Sequence, residues 1–399
     1  MLATRRRLLM GLSALALPFP NLALAAAPTD RRFVFVILRG GLDGIGAVAP
    51  FTDPDYRTLR GEIALAEPGK DGGAIDLDGR FGLHPALAPL ERLWREKQLT
   101  IVHAVATPYR QRSHFDGQDL LENGTDDPRA KTGGWLNRSI ALLGKPKERD
   151  RRLGLAVGQT VPLTLRGEIP VATWAPPTLP DASSDFLAKV AALYREDRTL
   201  GPAFAQGIGA HAMSAKAMDS RAVGDVPARG PGAFKAAADA AGKLLASVEG
   251  PRVAVLELNG FDTHAQQRGR IAGPLAAFAD GMIALKDALG SAWSETVVMA
   301  ASEFGRTAAV NGTLGTDHGT AGAAFVLGGR IGGGRVLGTW PGLAAAKLYE
   351  SRDLAPTTDL RAVAKALLKS HLGLPDDALA KVVFPESRTV KPLDGLISA

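Results

Sequence analysis

The chain of 399 residues contains no cysteine. Disulfide bridges, thiolate metal ligands and cysteine nucleophiles are therefore excluded, and stability must come from an ordinary core, which a chain of this length can bury. Aromatic residues make up only 6% of the chain and do not alternate with basic residues. The sequence thus has no stripe typical of nucleic-acid binding, and we expect no nucleic-acid partner.

The sequence has one long apolar run, at its N-terminus, and lacks such runs elsewhere. Residues 1–27 are predicted to be a cleaved export signal. A basic start with Arg5-Arg6-Arg7 precedes an apolar stretch and the small-x-small site Ala23-Leu24-Ala25. Thr4-Arg5-Arg6-Arg7-Leu8-Leu9 reads as a twin-arginine signal, with an ordinary secretory signal as the alternative. We expect export by the twin-arginine translocation machinery, a periplasmic or secreted mature chain, and no transmembrane segment in it.

Positively charged residues are in small excess over negatively charged ones, which gives a formal net charge of +6. Half of that excess lies in the three arginines of the signal. The remaining basic residues are interspersed with acidic ones, and a mild positive bias is only weak support for an anionic substrate.

Several short apolar runs predict buried strands of a mostly parallel sheet. They are 33–38, 99–105, 253–258, 296–301 and 323–327, each bounded by glycine or polar residues. Helical patterns at 85–96, 273–289 and 359–372 alternate with them, which favours an α/β fold. We expect residues 28–399 to form one domain with an Ala/Gly-rich insertion around 200–242, and a small β excursion at 153–180.

Acidic and histidine motifs follow or precede these strands. They are Arg39-Gly40-Gly41-Leu42-Asp43, Ser113-His114-Phe115-Asp116, Asp262-Thr263-His264, Ser302-Glu303-Phe304-Gly305-Arg306 and Asp317-His318-Gly319. The carboxyl ends of parallel strands are where α/β proteins place ligands and catalytic groups. Carboxylates and imidazoles gathered there suit one or two divalent cations.

Asp262 and His264 are two apart, so in extended backbone both point the same way and can grip one cation. The alternative is an Asp262 that caps a helix. His318 is a candidate ligand and Asp317 a weaker one, because adjacent side chains converge only in a turn. The alternative for this pair is an ordinary surface turn.

Glu303 ends a strand and is a candidate metal ligand, while Arg306 is a candidate for holding an anionic substrate oxygen. A buried Glu303–Arg306 ion pair is the competing interpretation. Asp43 lies in a glycine-rich turn, where a carboxylate can face a cation, but such turns are common.

Ser113 is a candidate nucleophile and His114 a candidate ligand or general acid. In the alternative, Ser113 is a helix N-cap with Asp116 in the first turn. Arg110 and Arg112 are candidates for orienting a phosphate or sulfate group.

Taken together, the motifs resemble the bacterial exported family called "domain of unknown function 1501". The resemblance covers nearly the whole mature chain. It also rests on Gly44 after Asp43, on Leu83-His84-Pro85-Ala86-Leu87, on Gly133-Gly134-Trp135-Leu136 and on Phe261 before Asp262.

That family is similar to the alkaline phosphatase and sulfatase superfamily. The resemblance implies a three-layer α/β/α sandwich with a mostly parallel central sheet and a binuclear metal site. Asp43 would match the superfamily's first-strand aspartate, and Asp262 and His264 its Asp-x-x-x-His pair at a shorter spacing.

The resemblance also matches two further residues to single metal ligands of the superfamily. Glu303 stands where the superfamily has the aspartate of an Asp-His pair, with Phe304 in place of the histidine, and His318 matches the last histidine ligand. Ala106 occupies the position of the formylglycine precursor, so the sulfatase mechanism is not expected.

Two hypotheses follow. In the first, the protein is an exported hydrolase of small or polymeric anionic esters, phosphate or sulfate, with Zn, Mn or Ca bound. Asp43, Asp262, His264, Glu303, Asp317 and His318 would be the ligands, and Ser113, Thr107 or water would attack. In the second, the fold is a non-catalytic envelope scaffold with a degraded metal site.

Overall fold

A computed structural model of the protein describes residues 29–143, 153–176, 182–202, 204–205, 207–208, 232–248 and 250–398. The predicted signal at 1–27 lies outside the described residues, as does most of the predicted insertion around 200–242. Both therefore stay predictions.

Two sheets contain all the strands that the described part of the chain forms. The strands are β1 (Arg32–Arg39), β2 (Val48–Ala49), β3 (Ile75–Asp76), β4 (Gly82–Leu83), β5 (Leu99–Ala106), β6 (Gly154–Val157), β7 (Ala172–Trp174), β8 (Val253–Asn259), β9 (Thr296–Ala301), β10 (Gly322–Gly328), β11 (Arg335–Leu337) and β12 (Thr358–Asp359). The large sheet has the order β11-β5-β10-β9-β1-β8-β6-β7, with β12 also beside β5, and β2-β4-β3 form the small sheet.

The large sheet is parallel except at β10, which runs antiparallel to both β9 and β5. β1 pairs in parallel with β8 and β9. The carboxyl ends of β1, β5, β8 and β9 therefore lie at one edge of the sheet, together with the amino end of β10. Chain segments far apart in sequence meet at this edge.

Both faces of the sheet are buried, which explains the continuous apolar runs. In β1, Val34, Val36 and Leu38 belong to one core cluster and Phe33, Phe35 and Ile37 to the other. Burial of each such side chain stabilises the fold by about 1.5–3 kcal/mol.

Helices cover the two faces and give three layers. The α-helices are α1 (Gly44–Ala47), α2 (Tyr56–Arg60), α3 (Glu91–Arg95), α4 (His114–Asn123), α5 (Trp135–Leu142), α6 (Ser184–Tyr194), α7 (Ala233–Ala246), α8 (Gln267–Arg270), α9 (Ala272–Leu289), α10 (Leu360–Ser370) and α11 (Asp376–Ala378). Side chains of α7 and α9 join the first core cluster, and those of α5 and α10 join the second. The predicted α/β/α sandwich with a mostly parallel sheet is confirmed.

Three details differ from the sequence prediction. Within the predicted β excursion at 153–180, the described residues 153–176 are not separate, because β6 and β7 extend the large sheet in parallel beside β8. The strand at 322–328 is antiparallel. The helix predicted over 85–96 is a 3₁₀ segment, Pro85–Leu90, followed by α3, since Pro89 interrupts regular helical hydrogen bonding.

None of the helices that the structure describes has the length and apolar character needed to cross a membrane.

Candidate metal centre

Four polar segments meet at the edge of the large sheet where β1, β5, β8 and β9 end. His114 opens α4 after β5, and Asp262 and His264 lie in the loop after β8. Glu303 follows β9, and His318 precedes β10. The predicted edge therefore does collect these groups. β1, β5, β8 and β9 run in the expected direction, and the unexpected reversal of β10 brings His318 to the same edge.

Each imidazole at this edge is held at its Nδ1 atom by a hydrogen-bond acceptor. His114 Nδ1 lies 2.7 Å from Glu303 Oε1, and His264 Nδ1 lies 3.0 Å from Asp317 Oδ1. His318 Nδ1 lies 2.8 Å from the main-chain oxygen of Arg112. A carbonyl or carboxylate oxygen only accepts, so each Nδ1 carries a proton, and Nε2 is the ring nitrogen left to face a ligand.

The Nε2 atoms converge on one carboxylate oxygen. Asp262 Oδ1 is 3.0 Å from His264 Nε2, 3.3 Å from His318 Nε2 and 3.6 Å from His114 Nε2. The Nε2 atoms of His264 and His318 are only 3.0 Å apart. Lone pairs that face one another at this spacing repel unless a proton or a cation lies among them.

His114 gives independent support for this interpretation. Its Nε2 is buried and has no hydrogen-bond partner in the described part of the structure, which is costly unless a ligand satisfies it. One ligand atom each from His114, Asp262 and His318 lie within 4.8 Å of one another. We call His114, Asp262, His264 and His318 the histidine cluster.

The histidine cluster is open to solvent on one side. The Asp262 and His264 side chains are 47% and 46% exposed, whereas those of His114 and His318 are 25% and 24% exposed. An ion and a small ligand can therefore reach it. The half-buried pair supplies a rigid back wall.

Electrostatics at the cluster favour an ionised Asp262 and a neutral His318, whereas they favour a proton on His114. Burial acts to raise the pKa of Asp262, but the hydrogen bond and charge of Arg306 bring it below its ordinary value. Burial lowers the pKa of His318, and the hydrogen bond to Glu303 raises that of His114. A proton and a cation therefore compete for the space beside His114.

Arg306 is committed to holding Asp262 rather than free for a substrate. Its Nη1 donates to Asp262 Oδ1 at 2.8 Å, and its Nη2 donates to the Thr316 carbonyl at 2.5 Å. The guanidinium is buried. The competing Glu303–Arg306 ion pair is not formed, since each side chain has another partner.

Glu303 and Asp317 stand behind the imidazoles rather than beside the converging Nε2 atoms. Both orient a ring through Nδ1, an arrangement that metal-binding histidines commonly use. Burial acts to raise the pKa of Glu303, but hydrogen bonds from His114 and Gly40 hold it below its usual range. The hydrogen bond from His264 lowers the pKa of Asp317. The structure thus places both residues in the site, in a supporting position.

Asp43 is placed differently from the prediction. Its carboxylate is buried, forms an ion pair with Arg60 and accepts a hydrogen bond from Gln267. It also caps α1 by accepting from the Gly46 N–H at 3.0 Å. The carboxylate is thus saturated by protein donors and supports the loop.

The candidate catalytic serine lies at the start of α4. Ser113 is at the N-cap position, half-buried, with no capping hydrogen bond from its side chain. The main chain of Arg112 before it and the ring of His114 after it both take part in the site. Thr107, the other hydroxyl considered, is buried, and its Oγ1 interacts with Glu303 O and Tyr109 N.

The two candidate phosphate-binding arginines are both tied to protein acceptors. Arg110 donates to the carbonyls of Thr107 and Tyr109. Arg112 pairs with Asp353 and Glu350, and its φ of 63° turns the chain so that its carbonyl meets His318. Their hydrogen bonds thus shape the loop between β5 and α4.

Sequence reasoning missed several supporting groups. Phe304 was treated only as a lost histidine, yet its ring packs 4.9 Å from the His114 ring and 5.0 Å from that of His318. Asn311 donates to the His264 carbonyl and to Asp317 Oδ1. Phe304 could have been recognised from its place beside Glu303, but no sequence signal marks Asn311.

Gly40 explains how two loops come close enough to form the site. Its φ is 114°, and a Cβ there would lie 2.6 Å from the Asp262 amide nitrogen. Only glycine allows this approach. The Gly40 N–H donates a hydrogen bond to Glu303 Oε1 at 2.9 Å. This amide of the Gly-Gly turn therefore binds the Glu303 carboxylate and not a free anion.

The donor set fits a single divalent transition-metal ion. Imidazole nitrogens with one carboxylate are ligands that Zn prefers, whereas Ca prefers six to eight oxygens. The described residues bring together one such group, so the implied binuclear arrangement is not assembled within them.

Comparison with known proteins identifies a family. The model of the family described as "Protein of unknown function (DUF1501)" matches residues 94–383, well over half of the chain. The resemblance stated from the motifs is therefore confirmed. A comparison with curated proteins gave no match.

Solved structures with a similar fold are distant. Ps i-CgsB is 12% identical with a TM-score of 0.45, covering 91% of this chain and 77% of that one. A protein in the alkaline phosphatase superfamily from Vibrio parahaemolyticus is 11% identical, TM-score 0.37, over 78% and 62% of the two chains. The C-terminal periplasmic domain of EcEptC from Escherichia coli is 12% identical, TM-score 0.36, over 95% and 96%.

Proposed function

We propose that this protein, which belongs to the DUF1501 family, is an exported metal-dependent hydrolase of phosphate or sulfate esters. One observation supports it most: the Nε2 atoms of His114, His264 and His318 converge on Asp262 Oδ1 while each Nδ1 is held by an acceptor. That arrangement prepares ligands for a cation before the cation binds.

His114, Asp262 and His318 would hold the ion, with His264 as a further candidate ligand beside them. Three protein ligands leave a coordination position open for a substrate oxygen. Zn fits this donor set best and Mn is the alternative, because three imidazoles and a single carboxylate are too poor in oxygen for Ca. An ion of this kind, if bound there, would polarise an ester oxygen and lower the pKa of a water molecule bound to it.

The residues of the chain then have separate tasks. Glu303 and Asp317 hold the rings of His114 and His264, and Arg306 holds Asp262. We assign the attack on the ester to the hydroxyl of Ser113, which precedes His114 and makes no capping hydrogen bond to α4. Water is the alternative nucleophile. Thr107 is not assigned, because its hydroxyl is buried and engaged.

Metal content is the first test. Asp262→Asn keeps the shape of the side chain but removes its charge, so we expect protein purified without chelating resin to lose most of its bound metal. Asp185→Asn is the matched control, since Asp185 is an exposed carboxylate paired with Lys189 on α6. Equal metal content in both variants, measured by elemental mass spectrometry, would contradict the site.

Turnover is the second test. Phosphate monoesters, phosphate diesters and sulfate esters should be screened with Zn, Mn, Mg and Ca each added. If Ser113 attacks, Ser113→Ala loses turnover but keeps its metal, and if water attacks, turnover persists. No turnover with any ester by the metal-loaded protein would reject the hydrolase.

A non-catalytic scaffold with a structural metal is the second candidate. It is favoured by the arginines, because Arg110, Arg112 and Arg306 are all committed to protein acceptors. A protein that binds metal stoichiometrically yet hydrolyses none of the esters would support it. Export by the twin-arginine route remains part of the proposal, since its signal lies outside the described residues.

A further inference from the structure

A cavity lies apart from the histidine cluster. It has a volume of about 300 Å³ and is lined by ten residues, none of which belongs to the cluster. Its walls include the aromatic rings of Phe81 and Trp340, the side chains of Arg80 and Lys347, and Asp53. This volume is at the lower end for small-molecule sites and suits a single ring.

The aromatic wall is rigid before any ligand arrives. The Trp340 ring packs edge-on against Phe81 at 5.3 Å and against His103 at 4.7 Å, and His103 is buried in β5. Trp340 Nε1 donates to Asp53 Oδ2 at 2.9 Å. Trp340 remains half-buried, so part of its apolar surface is available at little conformational cost.

The charges in the cavity favour an anion. Asp53 is the carboxylate in its wall, and its oxygens already accept from Trp340 Nε1, the Leu343 N–H and the Asp55 N–H. Arg80 and Lys347 are exposed, and neither forms an ion pair within the part of the chain that the structure describes. The Arg80 guanidinium lies over the Phe81 ring, with its Cζ 5.8 Å from the ring centroid. Two cations without an ion-pair partner in the described residues thus lie beside a carboxylate that already accepts three hydrogen bonds.

We propose that this cavity binds a cyclic organic anion, a ring-sized molecule with one carboxylate, phosphate or sulfate group. The ring packs on the half-buried Trp340, and the acidic group pairs with Arg80 and Lys347. An arginine fork and a lysine ammonium are common partners of such groups. An apolar ring gives the burial that inorganic phosphate lacks.

Tryptophan fluorescence provides the test. The full mature chain should be titrated with glucuronate, benzoate, neutral glucose and inorganic phosphate. We expect the fluorescence titrations to show that glucuronate or benzoate binds at least about tenfold more tightly than glucose. Their binding should weaken at higher salt concentration. Trp340→Phe should remove the signal and so assign it, since the chain has five tryptophans.

Charge variants complete the test. Arg80→Gln and Lys347→Gln should each weaken binding by about tenfold, the usual size of a lost charge-assisted hydrogen bond. Lys131→Gln removes an exposed charge elsewhere and should leave binding unchanged. No response to any anion, glucose binding as tightly as the anions, or equal affinity in all three variants would overturn the proposal. Metal content should be unaffected, so this site and the histidine cluster succeed or fail separately.

Discussion

The Glu303 carboxylate decides how His114 is presented. It is fully buried, accepts from His114 Nδ1 and the Gly40 N–H, and takes a third hydrogen bond from Ser302 Oγ at 2.8 Å. With Nδ1 occupied in this way, only Nε2 of His114 can face a cation. Glu303 therefore acts on metal affinity through His114, as a positioning residue.

Glu303→Gln is expected to weaken metal binding by about 10–100-fold, the usual effect of losing a carboxylate behind a metal-binding imidazole. The amide retains the shape but no longer favours a proton on Nδ1. Competition with a chromogenic chelator measures the affinity. Glu295→Gln is the control, since Glu295 is a half-buried carboxylate that pairs with Arg330 outside the histidine cluster. Unchanged affinity in a folded Glu303→Gln variant would show that Glu303 only fills space.

His103 is a buried histidine away from the histidine cluster. Its Nε2 lies 3.0 Å from the Val48 carbonyl, and its Nδ1 accepts from the Ala104 N–H at 2.9 Å. The neutral ring is therefore fully satisfied. Burial lowers the pKa of His103 from 6.5 to about 4.

Acid should destabilise the fold through His103. Between pH ~6.5 and ~4 the unfolded chain binds a proton that the native chain does not, so stability falls as pH falls, by about 3 kcal/mol in all. His103→Gln should be less stable at neutral pH and show a flatter dependence in this window. Urea unfolding of metal-free protein measures it, and an unchanged slope would contradict the argument.

Single residues were predictable where sequence spacing alone brings them together. Asp262 and His264 share a loop, and their side chains do meet. The roles of Glu303 and His114 were not predictable in this way, because 189 residues separate them and their pairing depends on how β5 and β9 are placed. The buried environment of Asp43 was hidden for the same reason.

At the scale of elements, apolar runs identified the central strands but not all their directions. β10 is covered on both faces and flanked by β5 and β9. A buried antiparallel strand has the same sequence pattern as a parallel one. Its reversal brings the amino end of β10, and hence His318, to the edge where the other strands end.

The turn after β1 tests how elements are held together. Gly40→Ala should destabilise the fold by at least about 1–3 kcal/mol, because φ is 114° and the new Cβ would meet the Asp262 main chain. The displaced loop should also bind metal less well. Gly269→Ala is the control, since nothing lies within 4 Å of a Cβ there. Equal thermal midpoints for the two variants would contradict the close approach.

At the scale of the whole molecule, the histidine cluster joins segments distant in sequence. His114, Asp262 and His318 come from the loops flanking β5, β8 and β10. A cation bound there links these loops in the native state, and the unfolded chain cannot reproduce the arrangement. Metal binding and global stability should therefore be coupled.

Removal of metal should consequently lower the free energy of unfolding. Zn at one hundred times its dissociation constant should add about 2.7 kcal/mol, provided the unfolded chain binds it weakly. Urea unfolding of chelator-treated protein, with and without added Zn, measures this difference. Asp262→Asn should lose most of the Zn-dependent gain, whereas Asp185→Asn should retain it. A gain of the same size in Asp262→Asn would place the stabilising ion elsewhere in the molecule.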